Sequence, residues 1–174
     1  MKEIDIVRHA TKDATGALTD EGKNSAETLA TVLGSYDIVI SSPKPRAVET
    51  ATLLTGKYPV LNERASALDL TARELKDTHE QGKLHQFGIA GVLFDSSEYR
   101  PKILKKGKEL MKLIEETFSA LPNDGRALII SHDGVMVAAY MIMRKRKLFK
   151  AERTFTPLQG FQVFENGSIK PFEL

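Results

Sequence analysis

Three short apolar runs in this chain stop abruptly at Arg, Ser or His, and this pattern constrains the fold more than any other feature. Val7 gives way to Arg8-His9, Ile40 to Ser41-Ser42, and Ile130 to Ser131-His132. The runs at 2–7, 37–40 and 127–130 have the length of buried strands. Between them lie segments whose apolar residues recur at helical spacing. One covers 20–33, with Ala26, Leu29, Ala30 and Leu33; another covers 99–121, with Ile103, Leu110, Leu113, Ile114 and Phe118. Helices are also expected at about 43–55 and 134–147. Thr19 is placed to cap the first of these helices, and Ser42-Pro43 reads as the start of the second, hydroxyl first and proline at the first helical position. A third strand is expected at 58–61, and a hairpin at 160–164 and 168–172 around Asn166-Gly167. Strands alternating with helices argue for an α/β sheet covered on both faces. In such sheets ligands gather beyond the carboxyl ends of the strands. His9, Arg46 and His132 are therefore expected at one edge.

No repeat, low-complexity stretch or linker divides the chain, so its 174 residues are expected to form a single domain. A chain of that size buries roughly 70% of its unfolded surface. Zero cysteine excludes a thiolate nucleophile, a redox pair, a disulfide framework and thiolate-built metal sites, and leaves four histidines for covalent chemistry. With 25 Lys+Arg against 23 Asp+Glu, the net charge of +2 does not mark a nucleic-acid binder. The start, MKEIDIVRHA, lacks a signal-peptide apolar region. The longest apolar run, 135–143, has nine residues, about half of the ~20 that cross a bilayer. A cytoplasmic protein with no membrane or nucleic-acid partner is expected.

Two Arg, two His and the amide-rich starts of helices make an anion site. Guanidinium groups grip phosphate oxygens in a planar fork, and helix N-termini add partial positive charge. Such a pocket would neutralise a phosphate dianion and the charge of a phosphoryl-transfer transition state. A histidine held neutral by neighbouring cations can attack phosphorus. The second histidine, protonated, would be its charge partner. The leaving alkoxide needs a proton, so a carboxylic acid is expected near the site.

Four blocks carry a resemblance to a known family: Arg8-His9-Ala10, Leu18-Thr19-Asp20-Glu21-Gly22, Ser41-Ser42-Pro43-Lys44-Pro45-Arg46-Ala47-Val48-Glu49-Thr50-Ala51, and Ser131-His132-Asp133-Gly134. In order and spacing they resemble the histidine phosphatase, or phosphoglycerate mutase-like, superfamily over essentially the whole chain. The resemblance implies a three-layer α/β/α sandwich with a mostly parallel central sheet, and a two-step reaction without metal or organic cofactor. His9 would be phosphorylated and then hydrolysed, with Arg8, Arg46 and His132 holding the phosphoryl group. The proton donor would come from a segment resembling 72–82, which makes Glu74 the first candidate and Asp69 the second. Mutases of the family carry a glycine, a glutamate and an asparagine where this chain has Ala10, Thr11 and Thr15. That departure argues for a phosphatase, with Thr15 retained as a candidate phosphate contact. The RHA triplet also resembles short phosphohistidine phosphatases. The expected substrate is therefore a small phosphate ester, with a phosphoprotein as the alternative and a non-catalytic phosphate-binding module as the third reading.

The remaining features have plainer expectations. Residues 66–100 form a lid-like excursion, in which Phe87, Phe94 and Tyr99 either line the lid or anchor it. His79 and His85 are expected to face solvent. Met136, Met141 and Met143 should fill the core. The basic run 144–147 reads as a solvated helix end. Asp133 would repel phosphate unless its carboxylate points away.

Overall fold

The computed structural model describes residues 1–147 and 151–172. Six strands form one sheet: β1 (Glu3–Arg8), β2 (Ile38–Ser41), β3 (Val60–Leu61), β4 (Arg126–Ser131), β5 (Gly160–Phe164) and β6 (Ile169–Phe172). Their spatial order is β3-β2-β4-β1-β5-β6. The first four run parallel, while β5 is antiparallel to β1 and β6 to β5. The parallel strands are in close register, Arg8 opposite Ser131 and Ser41 opposite Ile130, so their carboxyl ends meet at one edge. The hairpin forms as expected, with Gly167 at φ +80° in its turn. Only glycine adopts that conformation without strain.

Alternation along the strands divides the core in two. Ile4 and Ile6 of β1, Ala127 and Ile129 of β4, and Phe161 of β5 pack against three helices, α4 (Gly88–Asp95), α5 (Tyr99–Ala120) and α6 (Asp133–Met143). Val7, Val39, Leu128 and Ile130 point the other way, onto α1 (Asp20–Ala30) and α2 (Pro45–Thr55). This is the expected three-layer sandwich with a mostly parallel sheet. Each fully buried Ile of the central strands contributes about 1.5–3 kcal/mol through removal of its apolar surface from water. Met136 and Met141 are fully buried, and Met143 packs against the same core. Asp5 is buried on the α1/α2 side, where Tyr36 (2.7 Å), Gln162 (2.8 Å) and Arg126 (3.2 Å) hydrogen-bond its oxygens.

Several boundaries differ from the sequence reading. Helix α2 begins at Pro45, with Lys44 as its cap and no side-chain cap bond. The second proline of Pro43-Lys44-Pro45 takes the first helical position, and the Ser42 hydroxyl accepts from the Lys44 amide (3.3 Å), not from an amide inside the helix. Helix α1 ends at Ala30 and α6 at Met143, each a few residues short of expectation. The excursion at 66–100 holds two helices, α3 (Ala72–Leu84) and α4. Helix α3 is almost wholly polar and buries only Thr78, whereas α4 is apolar nearly all round, so neither shows the one-sided periodicity that marks a helix in sequence. The signal that does mark α3 is its capping box, Thr71 with Glu74 three residues on. Phe94 is buried, Phe87 packs on the core, and the Tyr99 hydroxyl donates to Glu74; all three anchor the excursion. Among the described residues no helix is long and apolar enough to cross a membrane.

Candidate active site

At the carboxyl edge of the sheet, His9 follows β1, Ser42 follows β2 and His132 follows β4. Main-chain bonds continue the ladder past the strands, His9 N to Ser131 O (3.2 Å) and Ser42 N to Ile130 O (3.0 Å). Arg46 enters from the first turn of α2. The His9 and His132 rings lie edge to face, 5.0 Å between centroids.

Hydrogen bonds fix the state of both rings. The Nδ1 of His9 lies 2.8 Å from the Ala10 carbonyl oxygen, which can only accept, so Nδ1 carries the proton. The free lone pair is then on Nε2, which accepts from Arg46 Nε at 3.1 Å. In His132, Nδ1 faces Arg46 Nη2 at 3.4 Å, a group that can only donate. Its proton is therefore on Nε2 and goes to Ser42 Oγ, 2.9 Å away. Ser42 Oγ in turn lies 3.4 Å from Ser66 Oγ, which donates to Glu63 at 2.8 Å. The whole chain of donors runs in one direction.

Burial is the main reason that His9 titrates low, at about 3, with the cations of Arg46, Arg8 and Lys12 adding to the shift. Burial also pushes His132 well below its usual value, helped by His9, Arg46, Arg8 and Lys44. Both imidazoles are thus neutral at pH 7, and the expectation that His132 is protonated is corrected. A nucleophile needs that unprotonated nitrogen. The sign for stability follows from the lowered values. Between about 3 and the ordinary 6.5 the unfolded chain binds a proton that His9 in the folded chain does not. His132 and the half-buried His79 shift in the same direction. The carboxyls of Asp5 and Asp133, raised by burial, work in the opposite sense above 3.8. With three histidines against two carboxyls, thermal unfolding should therefore show a Tm that is highest near neutrality and falls as pH drops from 6.5 to 5. A Tm that rises over that interval would contradict the assignment of neutral rings.

The rest of the site is a cavity of about 590 Å³. Arg8, Lys12, Arg46 and Lys83 bring four cations to its wall. Arg8 donates through Nη1 to the Phe155 carbonyl, and its buried Nε has no partner. The two wall carboxylates are committed. Asp13 Oδ1 accepts from Thr15, Gly16 and Ala17 in a tight loop. Asp133 accepts from the Phe155 amide and the Thr154 hydroxyl, both at 2.6 Å, and lies 4.0 Å from Arg8 Nη1. Its charge points into the 154–155 segment and holds Arg8, which removes the repulsion foreseen from sequence.

The structure thus brings Arg8, His9, Arg46 and His132 together. Thr15, Glu74 and Asp69 are not part of the cavity wall. The Thr15 hydroxyl is turned to Asp13 (2.7 Å). Glu74 Oε2 accepts from the Thr71 amide and hydroxyl at 2.7 Å, and Oε1 from Tyr99 at 3.2 Å. Those bonds hold its carboxyl below the usual range. Asp69 is exposed. The two other histidines also depart from expectation. His85 bridges the α3–α4 connection, accepting from Phe87 N at 3.0 Å and facing Asp95 at 3.2 Å. His79 lines the cavity.

A family model for the histidine phosphatase superfamily (branch 1) matches residues 5–165, and the chain is a member of that family. Among solved structures it resembles YhfR of Bacillus stearothermophilus, with a TM-score of 0.76, 14% identity, and 99% of this chain and 96% of that one covered. It resembles mycobacterial glucosyl-3-phosphoglycerate phosphatase, seen with vanadate, at a TM-score of 0.72 and 17% identity over 98% and 97% of the two chains. Phosphoserine phosphatase of Entamoeba histolytica, with phosphoserine bound, gives 0.71 and 18% over 99% and 96%. At these identities the likeness is one of fold. None of the curated proteins compared with the chain by sequence matches it.

Proposed function

We propose that the protein is a phosphomonoesterase that hydrolyses a small phosphate ester through a phosphohistidine on His9, in the cytoplasm and without metal or organic cofactor. The observation that carries this reading is the His9 ring, pinned at Nδ1 by a main-chain carbonyl while its Nε2 lone pair faces Arg46. Arg8, Arg46, Lys12 and the His132 ring would surround the phosphoryl oxygens. Nε2 attacks phosphorus in line, the ester P–O bond breaks, and the leaving oxygen takes a proton. Water then attacks the phosphohistidine and inorganic phosphate departs. Hydrolysis rather than mutase transfer is favoured by Ala10, Thr11 and Thr15 at positions where the mutase pattern differs.

A second reading, a phosphatase acting on phosphohistidine in a partner protein, draws on the cavity wall, where both carboxylates are already hydrogen-bonded. A histidine leaving group needs less acid assistance than an alkoxide. Rapid quench with a labelled aryl phosphate in EDTA should trap acid-labile, base-stable phosphate on His9. A phosphohistidine peptide run beside sugar phosphates and phosphoserine separates the two substrate classes. Turnover without label on His9 would refute the mechanism, and binding without turnover would favour the non-catalytic module.

A further inference from the structure

Helix α3 turns one face to the cavity. Leu75, His79, Gly82 and Lys83 fall at i, i+4, i+7 and i+8 along it, and all four line the wall. Glu74, one position before Leu75, lies about 100° further round. Its carboxylate faces Thr71 and Tyr99 instead. The helix packs closely on α4, since a Cβ on Gly82 would come within 2.9 Å of the Ile89 amide nitrogen. His79 is therefore the one titratable group of the wall, apart from His9 and His132, that neither carries a fixed cation nor is committed to a hydrogen bond among the described residues.

Resting on the phosphomonoesterase reading, we propose that His79 is the catalytic acid and base: it protonates the leaving oxygen and then activates the water. The cations that share its cavity and act on it are Arg8 at the end of β1, Lys12 in the loop that follows, Arg46 of α2 and Lys83 on its own helix. Glu80 beside it is ion-paired to Lys83 at 2.7 Å. Burial and the four cations hold the imidazole below its ordinary value. A phosphate dianion among those cations offsets them and favours the imidazolium. The protonated His79 then gives its N–H proton to the ester oxygen as P–O breaks and the bond to His9 Nε2 forms. Neutral His79 takes a proton from water, whose oxygen bonds to phosphorus as P–N breaks. Inorganic phosphate, neutral His9 and protonated His79 result, so the cycle closes.

The test compares wild type with His79→Gln and Glu74→Gln on a series running from p-nitrophenyl phosphate through phenyl phosphate to an alkyl phosphate. kcat/KM for His79→Gln should fall by about 10²–10³ on the poorest leaving group that wild type accepts, and at least about tenfold less on p-nitrophenyl phosphate. Its kcat on p-nitrophenyl phosphate should drop while phosphorylated His9 accumulates, because the water step has lost its base. The wild-type decline of kcat/KM with rising pH on phenyl phosphate should flatten in His79→Gln. An equal loss across the series, or a selective loss in Glu74→Gln instead, overturns the assignment. Labelling of His9 in wild type with an equal loss in His79→Gln removes only His79 from the mechanism. A wild type that neither labels His9 nor hydrolyses any of the series overturns the phosphomonoesterase reading as well.

Discussion

His9→Ala should lower phosphate ester hydrolysis by about 10⁴-fold or more, the scale on which enzymes lose activity when a covalent nucleophile is removed. Among the described residues no other side chain is placed to take over. His132 has its Nε2 proton committed to Ser42 and presents Nδ1 to Arg46, so it does not offer the Nε2 lone pair that His9 does. The chain has no cysteine. Removing His9 leaves Arg8, Arg46 and Lys12 in place, so inorganic phosphate should still bind. Calorimetric titration of the variant with phosphate distinguishes loss of the nucleophile from loss of the site. Residual hydrolysis from the cation cluster alone is expected. Activity within tenfold of wild type would place the nucleophile elsewhere.

Asp133→Ala should be the most destabilising single change at the site. The carboxylate is nearly buried, with 12% of its side chain exposed, and it joins α6 to the 154–155 segment and to Arg8. Removal leaves the Phe155 amide and Thr154 hydroxyl without their acceptor, and Arg8 without its counter-charge. Losing one member of a buried charged pair costs about 3–5 kcal/mol. For a chain of this size that corresponds to a fall in Tm of roughly 10 °C. Asp133→Asn keeps an acceptor for one of the two bonds and should lose less. Both variants should raise KM for phosphate esters, since Arg8 is then held by the Phe155 carbonyl alone. Denaturant unfolding that puts Asp133→Ala within 1 kcal/mol of wild type would show that the 154–155 segment is held by other contacts.

The part of the site built on strand ends could be read from sequence because few conformations are available there. Val7, Ile40 and Ile130 must be buried in a parallel sheet, and the residues that follow them then have nowhere to go but its carboxyl edge. Arg46 comes with them, one residue into a helix started by Pro45. The part built on the 66–100 excursion was less legible. Helix α3 has no apolar stripe to set its phase, so spacing alone could not decide which of its residues faces inward. A resemblance in residue order pointed to Glu74; the Thr71–Glu74 capping box turns that carboxylate back on its own N-terminus and brings His79 round instead. Thr15 departs from expectation for a similar reason. Its side chain answers to Asp13 two residues earlier, a local bond that competes with any role in the cavity.

The Ala10 carbonyl that orients His9 belongs to the main chain, and no amino-acid replacement at position 10 deletes it. The direction in which the nucleophilic nitrogen points is thus insulated from sequence drift. The surrounding charges and most of the cavity wall are side chains, open to replacement one at a time. Substrate preference in a protein of this design can therefore wander over evolutionary time while the attacking atom stays where it is.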